Sequence, residues 1–355
     1  MMDSLDIGSI FPVDTLDVTT GNNQALPFGD EPHVQYFSLC REALSVIARS
    51  LGINGKVMIP AYTCQTVITP FTELGWSCCY FGITKDLRID IDSFKKTYTS
   101  FHPDIVIVHP YYGRDLNDEE VSVLLELKRE GCVFIEDLTQ CLYSSMRNSV
   151  FDYYVVSLRK WFPIPDGAAL FSVKHGLEFF KTELKENSAF VEQELDAMYL
   201  RGLYYKSNDV RLKDVSRRID KRAVGYVATD VTPHLMSKYS CTVLRDYNVK
   251  AAAERRLLNY RYLDDTLDAI GVRKLDHKEV TSAPLYFPIF VENREALIQK
   301  LIDHRIYAPV LWPVKTEGLL ENESVRRIYD QILAIPCDQR YDERDLKRLV
   351  ECIKK

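Results

Sequence analysis

The sequence predicts an α/β protein with a mostly parallel central sheet and a smaller α+β domain at its C-terminal end. Short apolar runs of strand length alternate with amphipathic stretches of helical period, which is typical of parallel strands joined by helical crossovers. Several of these runs end in polar residues, as Cys132–Ile135 does before Glu136 and Asp137. The chain has 355 residues, 46% hydrophobic and 27% charged, which is typical of a globular protein long enough for two domains.

The overall charge and the termini exclude several classes of function. The net charge of −6 offers no basic surplus for nucleic acid or an anionic membrane surface. No apolar run reaches the length of a membrane-spanning helix, and the N-terminus carries Asp3 and Asp6 instead of the basic region of a signal peptide. The nine cysteines are scattered without a CxxC pair that would suggest zinc. We therefore expect a cytoplasmic protein with free thiols, no bound metal, and neither nucleic acid nor membrane as a partner.

Residues 1–27 are predicted to form an N-terminal arm. No hydrophobic period runs through this segment. Its apolar residues Ile10, Phe11 and Val13 have no evident core of their own. We expect them to be buried against a partner subunit, and a symmetric dimer is the commonest assembly that does this.

Residues 28–246 are predicted to form the large domain. It begins with a helix over Arg41–Leu51, because apolar residues recur on one helical face and Gly52 ends the pattern. The other elements predicted for this domain are Lys56–Ile59, Asp104–Val108, Cys132–Ile135, Tyr153–Val156 and Ala168–Val173 as strands, and Glu119–Glu130 as a helix. Residues 177–203 are predicted to be rich in helix.

Residues 247–355 are predicted to form the small domain. A long helix over Tyr247–Leu267, rich in Arg and Ala, is expected to bridge the two domains. The strand, helix and strand predicted after it are Leu285–Val291, Arg294–His304 and Ala308–Leu311. A final helix over Glu343–Ile353 closes the domain.

The stretch between Tyr153 and Gly167 carries a lysine in an unusual setting. The apolar strand Tyr153–Val156 is followed by Arg159 and Lys160, and then by Pro163, Pro165 and Gly167, which forbid a long helix and require an ordered turn. Loss of solvation and the neighbouring guanidinium both favour the neutral form of a lysine amine. A neutral amine can form a Schiff base with a carbonyl compound.

An aspartate stands at the end of an earlier predicted strand. Asp137 follows Cys132–Ile135, and the carboxyl ends of parallel strands are where α/β proteins place their ligands. Pyridoxal phosphate (PLP) needs a carboxylate against its pyridine nitrogen and a lysine for attachment. The combination of Asp137 with Lys160 therefore points to PLP.

The spacing of these residues resembles that of the DegT/StrS family of PLP-dependent sugar aminotransferases. The resemblance rests on Asp137 with Gln140 three residues later, on Ser157 and Lys160, and on Asp166–Gly167. It extends from about residue 28 to the C-terminus. The resemblance implies the fold type I architecture of aspartate aminotransferase and a homodimer whose active sites are shared between subunits.

The resemblance also implies a role for each residue of the two strand ends. Lys160 would hold the cofactor and act as the general base that moves a proton during transfer. Asp137 would stabilise the protonated pyridine nitrogen, and Gln140 would orient the ring oxygen. Ser157 would bind the cofactor phosphate, assisted by Arg159.

Two further cofactor contacts are implied by matching the early part of the chain to the family. The loop and helix start at Arg41 and Glu42 would bind the phosphate through their backbone N–H groups, and Arg41 replaces the small hydroxyl residue usual in the family. The aromatic residue that stacks on the cofactor ring commonly stands where this chain has Cys64. Either Tyr62 takes over the stacking or Cys64 packs there, and the sequence leaves both open.

The function implied is transfer of an amino group from an amino acid to a keto-sugar, expected to be nucleotide-linked, in surface polysaccharide or secondary-metabolite biosynthesis. Two alternatives are kept. A PLP-dependent sugar dehydratase of this family would carry histidine in place of Lys160. A PLP-binding regulatory or inactive relative is suggested by Arg41, by Cys64 and by the absence of the family's Gly-x-Asn-x-Arg-Met motif, a region occupied here by Tyr226–Tyr239.

Overall fold

A computed structural model describes residues 6–13, 26–52, 54–174, 176–177 and 183–354 of the chain. Its strands, in chain order, are β1 (Ile7–Gly8), β2 (His33–Phe37), β3 (Lys56–Pro60), β4 (Ser77–Phe81), β5 (Ile105–Val108), β6 (Val133–Asp137), β7 (Tyr153–Ser157), β8 (Ala168–Ser172), β9 (Phe287–Phe290), β10 (Ile306–Tyr307) and β11 (Ile332–Ile335). Its α-helices are α1 (Cys40–Leu51), α2 (Gln65–Glu73), α3 (Ile91–Phe101), α4 (Asp118–Leu127), α5 (Ser188–Ser207), α6 (Val210–Tyr226), α7 (Lys238–Asp246), α8 (Val249–Asp268), α9 (Arg294–Asp303), α10 (Glu323–Gln331) and α11 (Glu343–Lys354).

A seven-stranded sheet forms the centre of the large domain. Its strand order is β2-β8-β7-β6-β5-β3-β4. The strands from β4 to β7 pair in parallel, whereas β8 is antiparallel to both of its neighbours. All four residues of β5 are buried, as expected for a parallel strand covered on both faces. The carboxyl ends of β3, β5, β6 and β7 consequently meet at one edge of the sheet.

A second group of buried apolar side chains forms the core of the small domain. It joins Tyr260 and Leu263 of α8 to Phe287 of β9 and to Leu349 of α11. The antiparallel pair β9 and β11 crosses this domain. The α/β class with a mostly parallel sheet is therefore confirmed, and the helix that we expected to bridge the domains is α8.

The N-terminal arm packs on the chain's own small domain, contrary to our expectation for Phe11. Ile7 lies in the small-domain core, and β1 pairs in parallel with β10. The Arg340 guanidinium lies 4.0 Å above the Phe11 ring and donates to the Ile10 carbonyl at 3.1 Å. The expectation that Phe11 needs a partner subunit was wrong because this pairing joins residues about 300 positions apart, which no local pattern reveals.

Most predicted elements occur within a few residues of their predicted bounds. The second strand of the small domain is β10 at Ile306–Tyr307 rather than Ala308–Leu311. Strand β2 was not predicted, although His33–Phe37 alternates polar and apolar residues over its first four positions. The other elements not predicted in the two domains include α2, α3, α6, α7, α10 and β11. In the segment 177–203, which was predicted to be rich in helix, helix α5 begins at Ser188. Residues 178–182 of that segment lie outside the described residues. Within the part of the chain that the structure describes, no helix combines the length and apolarity needed to cross a membrane.

Candidate active site

Seven of the predicted site residues line one cavity at the carboxyl edge of the sheet. The cavity has a volume of about 310 Å³. The seven residues are Arg41, Cys64, Asp137, Gln140, Ser157, Arg159 and Lys160. Strands β6 and β7 each run directly into a short 3₁₀ turn, Leu138–Gln140 and Leu158–Lys160. These two turns bring together the carboxylate and the lysine, which are 23 residues apart in the chain.

The lysine turn is held by backbone hydrogen bonds on both sides. The Gly167 carbonyl accepts from the Leu158 and Arg159 N–H groups at 2.9 and 3.2 Å, and its own N–H donates to the Ser38 carbonyl at 2.7 Å. Gly167 has a φ of +140°, a conformation that side chains with a Cβ rarely adopt. The glycine therefore fixes the position of the backbone that carries Lys160.

A buried indole joins the two turns to each other. Trp161, which is fully buried, donates from its Nε1 to the Thr139 carbonyl at 3.0 Å. The Ser157 N–H donates to the Thr139 Oγ1 at 3.1 Å. Two hydrogen bonds across the ends of β6 and β7 thus set the distance between the turns, as preorganised sites require.

Polar groups at the ends of β5 and β6 hold the Asp137 carboxylate in place. Its Oδ1 accepts from the Thr139 N–H at 2.9 Å, and its Oδ2 lies 3.5 Å from the His109 Nδ1. The other ring nitrogen of His109 is 2.8 Å from the Thr63 Oγ1. Burial lowers the pKa of His109 although Asp137 opposes the change, so the imidazole is neutral at pH 7. Neither of these contacts pairs the carboxylate with a cation, so its oxygens can accept a hydrogen bond from a cationic group in the cavity.

The neighbouring carboxyl, Glu136, points to the other side of the sheet, as alternation along a strand requires. Glu136 is buried, and its Oε2 has no hydrogen-bond partner among the described residues. Burial, with a smaller contribution from Asp115, raises the pKa of Glu136 to about 8. This strand end thus presents the Asp137 carboxylate to the cavity and keeps the Glu136 carboxyl, which is mostly neutral at pH 7, away from it.

Gln140 brings a free amide donor to the cavity. Its Oε1 accepts from the Tyr112 N–H at 3.0 Å, which fixes the orientation of the amide group. Its Nε2 is buried and has no hydrogen-bond partner among the described residues. An unpaired buried donor costs about 1–3 kcal/mol, so a ligand acceptor at this point would be stabilised.

Arg41 and Glu42 lie at the start of α1, and only the Arg41 side chain lines the cavity. The Arg41 Nη1 donates to the Val227 and Ala228 carbonyls at 2.5 and 2.7 Å, and burial followed by the nearby Arg159 lowers its pKa. The Glu42 carboxylate accepts from the Leu39 N–H at 3.4 Å and caps the helix. The Glu42 side chain therefore does not line the cavity, and its predicted cofactor contact concerns its backbone alone.

Cys64, and not Tyr62, lies on the cavity wall. The Tyr62 ring is fully buried, with its hydroxyl 3.2 Å from the Tyr112 hydroxyl and hydrogen-bonded to the Leu311 carbonyl. The Tyr62 ring packs 5.0 Å from that of Trp312, which itself lines the cavity. Of the two candidates that the sequence left open, Cys64 therefore stands where a ring would pack.

The cavity residues outside the predicted set include His109, Cys40 and Tyr286. His109 follows β5 at the same sheet edge, and this position was a usable signal. Cys40 is the first residue of α1, one position before Arg41. Tyr286 comes from the small domain, and the sequence has no local pattern that would assign it to the cavity.

Comparison with solved structures covers nearly the whole chain at low sequence identity. NtdA from Bacillus subtilis, solved with bound cofactor PMP, has a TM-score of 0.68 and 15% identity, and the match covers 99% of this chain and 85% of that one. A DegT DnrJ EryC1 StrS aminotransferase from Brucella abortus has a TM-score of 0.61 and 16% identity, covering 91% and 86%. DesI, solved in the presence of its TDP-sugar product, has a TM-score of 0.64 and 14% identity, covering 91% and 80%.

The chain has the fold of these aminotransferases. The fold type I architecture expected from the sequence is thereby confirmed. No family model matches the sequence, and no curated protein sequence matches it significantly. At identities of 14–16% the likeness concerns the fold, and the activity has to be argued from the residues of the cavity.

Proposed function

We propose that the protein is a PLP-dependent aminotransferase of the DegT/StrS type that acts on a keto-sugar. The observation that carries the proposal is the cavity itself, in which Lys160, Asp137 and Gln140 line one space of about 310 Å³, and in which the Gln140 Nε2 has no hydrogen-bond partner among the described residues. PLP has an aldehyde, a pyridine nitrogen and a ring oxygen, which these three groups respectively match. The residues present therefore fit the cofactor.

Each residue has a defined task in this proposal. Lys160 would hold the cofactor and would accept and return a proton at its Nζ. Asp137 would keep the pyridine nitrogen protonated, while the neutral His109 and the Thr139 N–H keep the carboxylate in place. Bound PLP supplies the electron sink for amino-group transfer.

The remaining residues bind and orient the cofactor. Gln140 donates from its Nε2 to the ring oxygen, since its Oε1 is already held by the Tyr112 N–H. Ser157 and the backbone N–H group of Arg41, at the positive end of α1, bind the phosphate. The Glu42 N–H, which was predicted to join them, already donates to the Leu39 carbonyl at 3.0 Å. Cys64 packs on the ring with a small polarisable side chain. Arg159 lies near Arg41 and adds positive charge beside the phosphate.

The substrates are an amino-acid donor and a keto-sugar acceptor linked to a nucleotide. Support for a sugar nucleotide comes from DesI, which shares the fold and was solved in the presence of its TDP-sugar product. The pathway expected is surface polysaccharide or secondary-metabolite biosynthesis. A homodimer is expected, and all nine cysteines are free thiols, as suits the reducing cytoplasm where we expect the enzyme to work.

A direct experiment separates this proposal from its rivals. Adding L-glutamate to the PLP-loaded protein should remove the visible absorbance of the PLP form, and a nucleotide-linked keto-sugar should restore it while it is aminated. A protein that binds PLP without responding to any amino donor would be a regulatory or inactive relative. A protein that removes a hydroxyl from the sugar without consuming a donor would be a dehydratase, although Lys160 argues against this.

A further inference from the structure

A second cavity, the arginine chamber, lies against the lysine turn on the side of the small domain. Its volume is about 460 Å³. It shares Arg159, Lys160, Leu285 and Tyr286 with the active-site cavity. A molecule in the arginine chamber would therefore reach the same lysine as the cofactor, from the other side.

The arginine chamber combines an apolar wall with buried charge. The apolar residues come from the arm, from α5 and from α9; they are Ile10, Phe11, Met198, Ile298 and Ile302. The charged lining residues that the structure describes are Arg159, Lys160, Arg256 and Arg340, opposed by Glu194 and Asp338. The cationic groups thus outnumber the carboxylates.

Two of the three arginines have a carboxylate within ion-pair distance. Arg340 pairs with Asp338 at 2.7 Å, and Arg159 lies 3.7 Å from Glu194. The Glu194 pairing is only partial at neutral pH, because burial raises the pKa of Glu194 to about 7. Protonation of Glu194 leaves still more uncompensated positive charge in the chamber.

Arg256 is the arginine without a carboxylate within ion-pair distance among the described residues. It comes from the bridging helix α8, is 1% exposed, and lies with its guanidinium 4.6 Å from the Trp161 ring centre. Its Nη1 donates to the Pro284 and Leu285 carbonyls at 3.3 and 3.0 Å. Its Nε has no hydrogen-bond partner in the described part of the chain.

Burying a guanidinium that has an unpaired N–H donor costs free energy unless an anion pairs with the cation. The planar fork of arginine suits carboxylate and phosphate groups in particular. The Trp161 ring supports the cation from one side, and the same indole is bonded to the Thr139 carbonyl of the other turn. Arg256 is thereby fixed relative to both Asp137 and Lys160.

We infer that the arginine chamber binds the anionic group of a substrate, a carboxylate or a phosphate, and that Arg256 is the residue that holds it. The assignment of the anion to a substrate rests on the proposed aminotransferase function. Two sources share this chemistry: the carboxylate of the amino donor and the phosphate of the sugar nucleotide. Arg256 would position either one against Lys160 while the apolar wall accepts the rest of the molecule.

Calorimetric titration of the PLP-loaded protein tests the inference without relying on turnover. Excess PLP keeps the active-site cavity filled. Glutarate, a dicarboxylate without an amino group, and thymidine diphosphate are the two probes. Binding of glutarate identifies the donor carboxylate as the anion, and binding of thymidine diphosphate identifies the acceptor phosphate.

The variants assign the binding to Arg256. Arg256→Met should weaken the bound probe about ten- to hundredfold, as loss of a charge-assisted hydrogen bond predicts. Arg255→Met, the adjacent exposed position on the same helix, should leave the affinity unchanged. Failure of the wild-type protein to bind either probe, or equal affinity in folded Arg256→Met, would overturn the inference.

A second pair of variants avoids the risk that Arg256→Met does not fold. Ile302 lines the chamber and is 40% exposed, so a polar side chain is tolerated there. Ile302→Glu should weaken the same probe several-fold by repulsion of like charges, and Ile302→Gln should not. Equal affinity in both Ile302 variants would place the probe outside the chamber. A protein that binds the probe but carries no PLP on Lys160 would refute the proposed function and leave the chamber assignment standing.

Discussion

Substitution of Glu136 tests how the two adjacent carboxyl groups of β6 divide their roles. Glu136 is buried on the side of the sheet away from the cavity, and burial raises its pKa to about 8 from the ordinary 4.5. The folded protein therefore binds this proton more tightly than the unfolded chain does. The contribution that Glu136 makes to stability is present at low pH and is lost as the pH rises from about 4.5 to about 8.

The magnitude follows from the difference between the two pKa values. At about 1.4 kcal/mol for each pH unit, the loss amounts to about 5 kcal/mol by pH 9 and about 3 kcal/mol by pH 7. Glu136→Gln has the same shape and does not ionise. The variant should therefore be more stable than the wild type by an amount that grows by about 5 kcal/mol between pH 4 and pH 9.

Urea unfolding at pH 5, 7 and 9, followed by tryptophan fluorescence, measures this difference. Glu119→Gln, on the exposed first turn of α4, is the matched control and should follow the wild type at each pH. Because Glu136 does not face the cavity, Glu136→Gln should also keep its turnover. A stability difference that does not change with pH would refute the assignment of a buried, neutral Glu136.

Three further predictions concern the cavity and the assembly. Asp137→Asn should still bind PLP, but turnover should fall by about 10²–10⁴ because one preorganised charge interaction is lost, and near-normal steady-state kinetics would mean that another carboxylate serves the cofactor. Gln140→Leu removes the unpaired donor and should weaken PLP about fivefold, equivalent to about 1 kcal/mol; a fluorescence titration with unchanged affinity would contradict the role given to its Nε2. Light scattering at micromolar concentration should give twice the chain mass of 41.0 kDa, whereas a monomer that turns over substrate would refute the shared-site expectation.

The sequence predicted the residues that stand at strand ends because those signals are local. Lys160 and Asp137 each follow a short apolar run, and in a parallel sheet such ends converge at one edge. Gly167 signals an ordered turn in the sequence and proves to hold the lysine turn through its carbonyl and its N–H.

The rest depends on contacts that are distant in the chain. Whether Tyr62 or Cys64 lines the cavity depends on the backbone conformation of the few residues that follow β3. The sequence does not specify which of these side chains points into the cavity. Glu42 is satisfied by its bond to the His234 N–H at 3.0 Å, 192 residues away. In the sequence, Arg256 has no feature that distinguishes it from other helical arginines, because its contact with Trp161 forms only in the folded chain.

The position of the cofactor lysine tests the central claim most directly. The PLP-loaded protein is reduced with borohydride, digested, and mapped by mass spectrometry. The account predicts that the reduced cofactor is found on Lys160 alone, and that Lys160→Ala folds but shows no visible absorbance band with PLP. A label on another lysine, with Lys160 unmodified, would contradict the account.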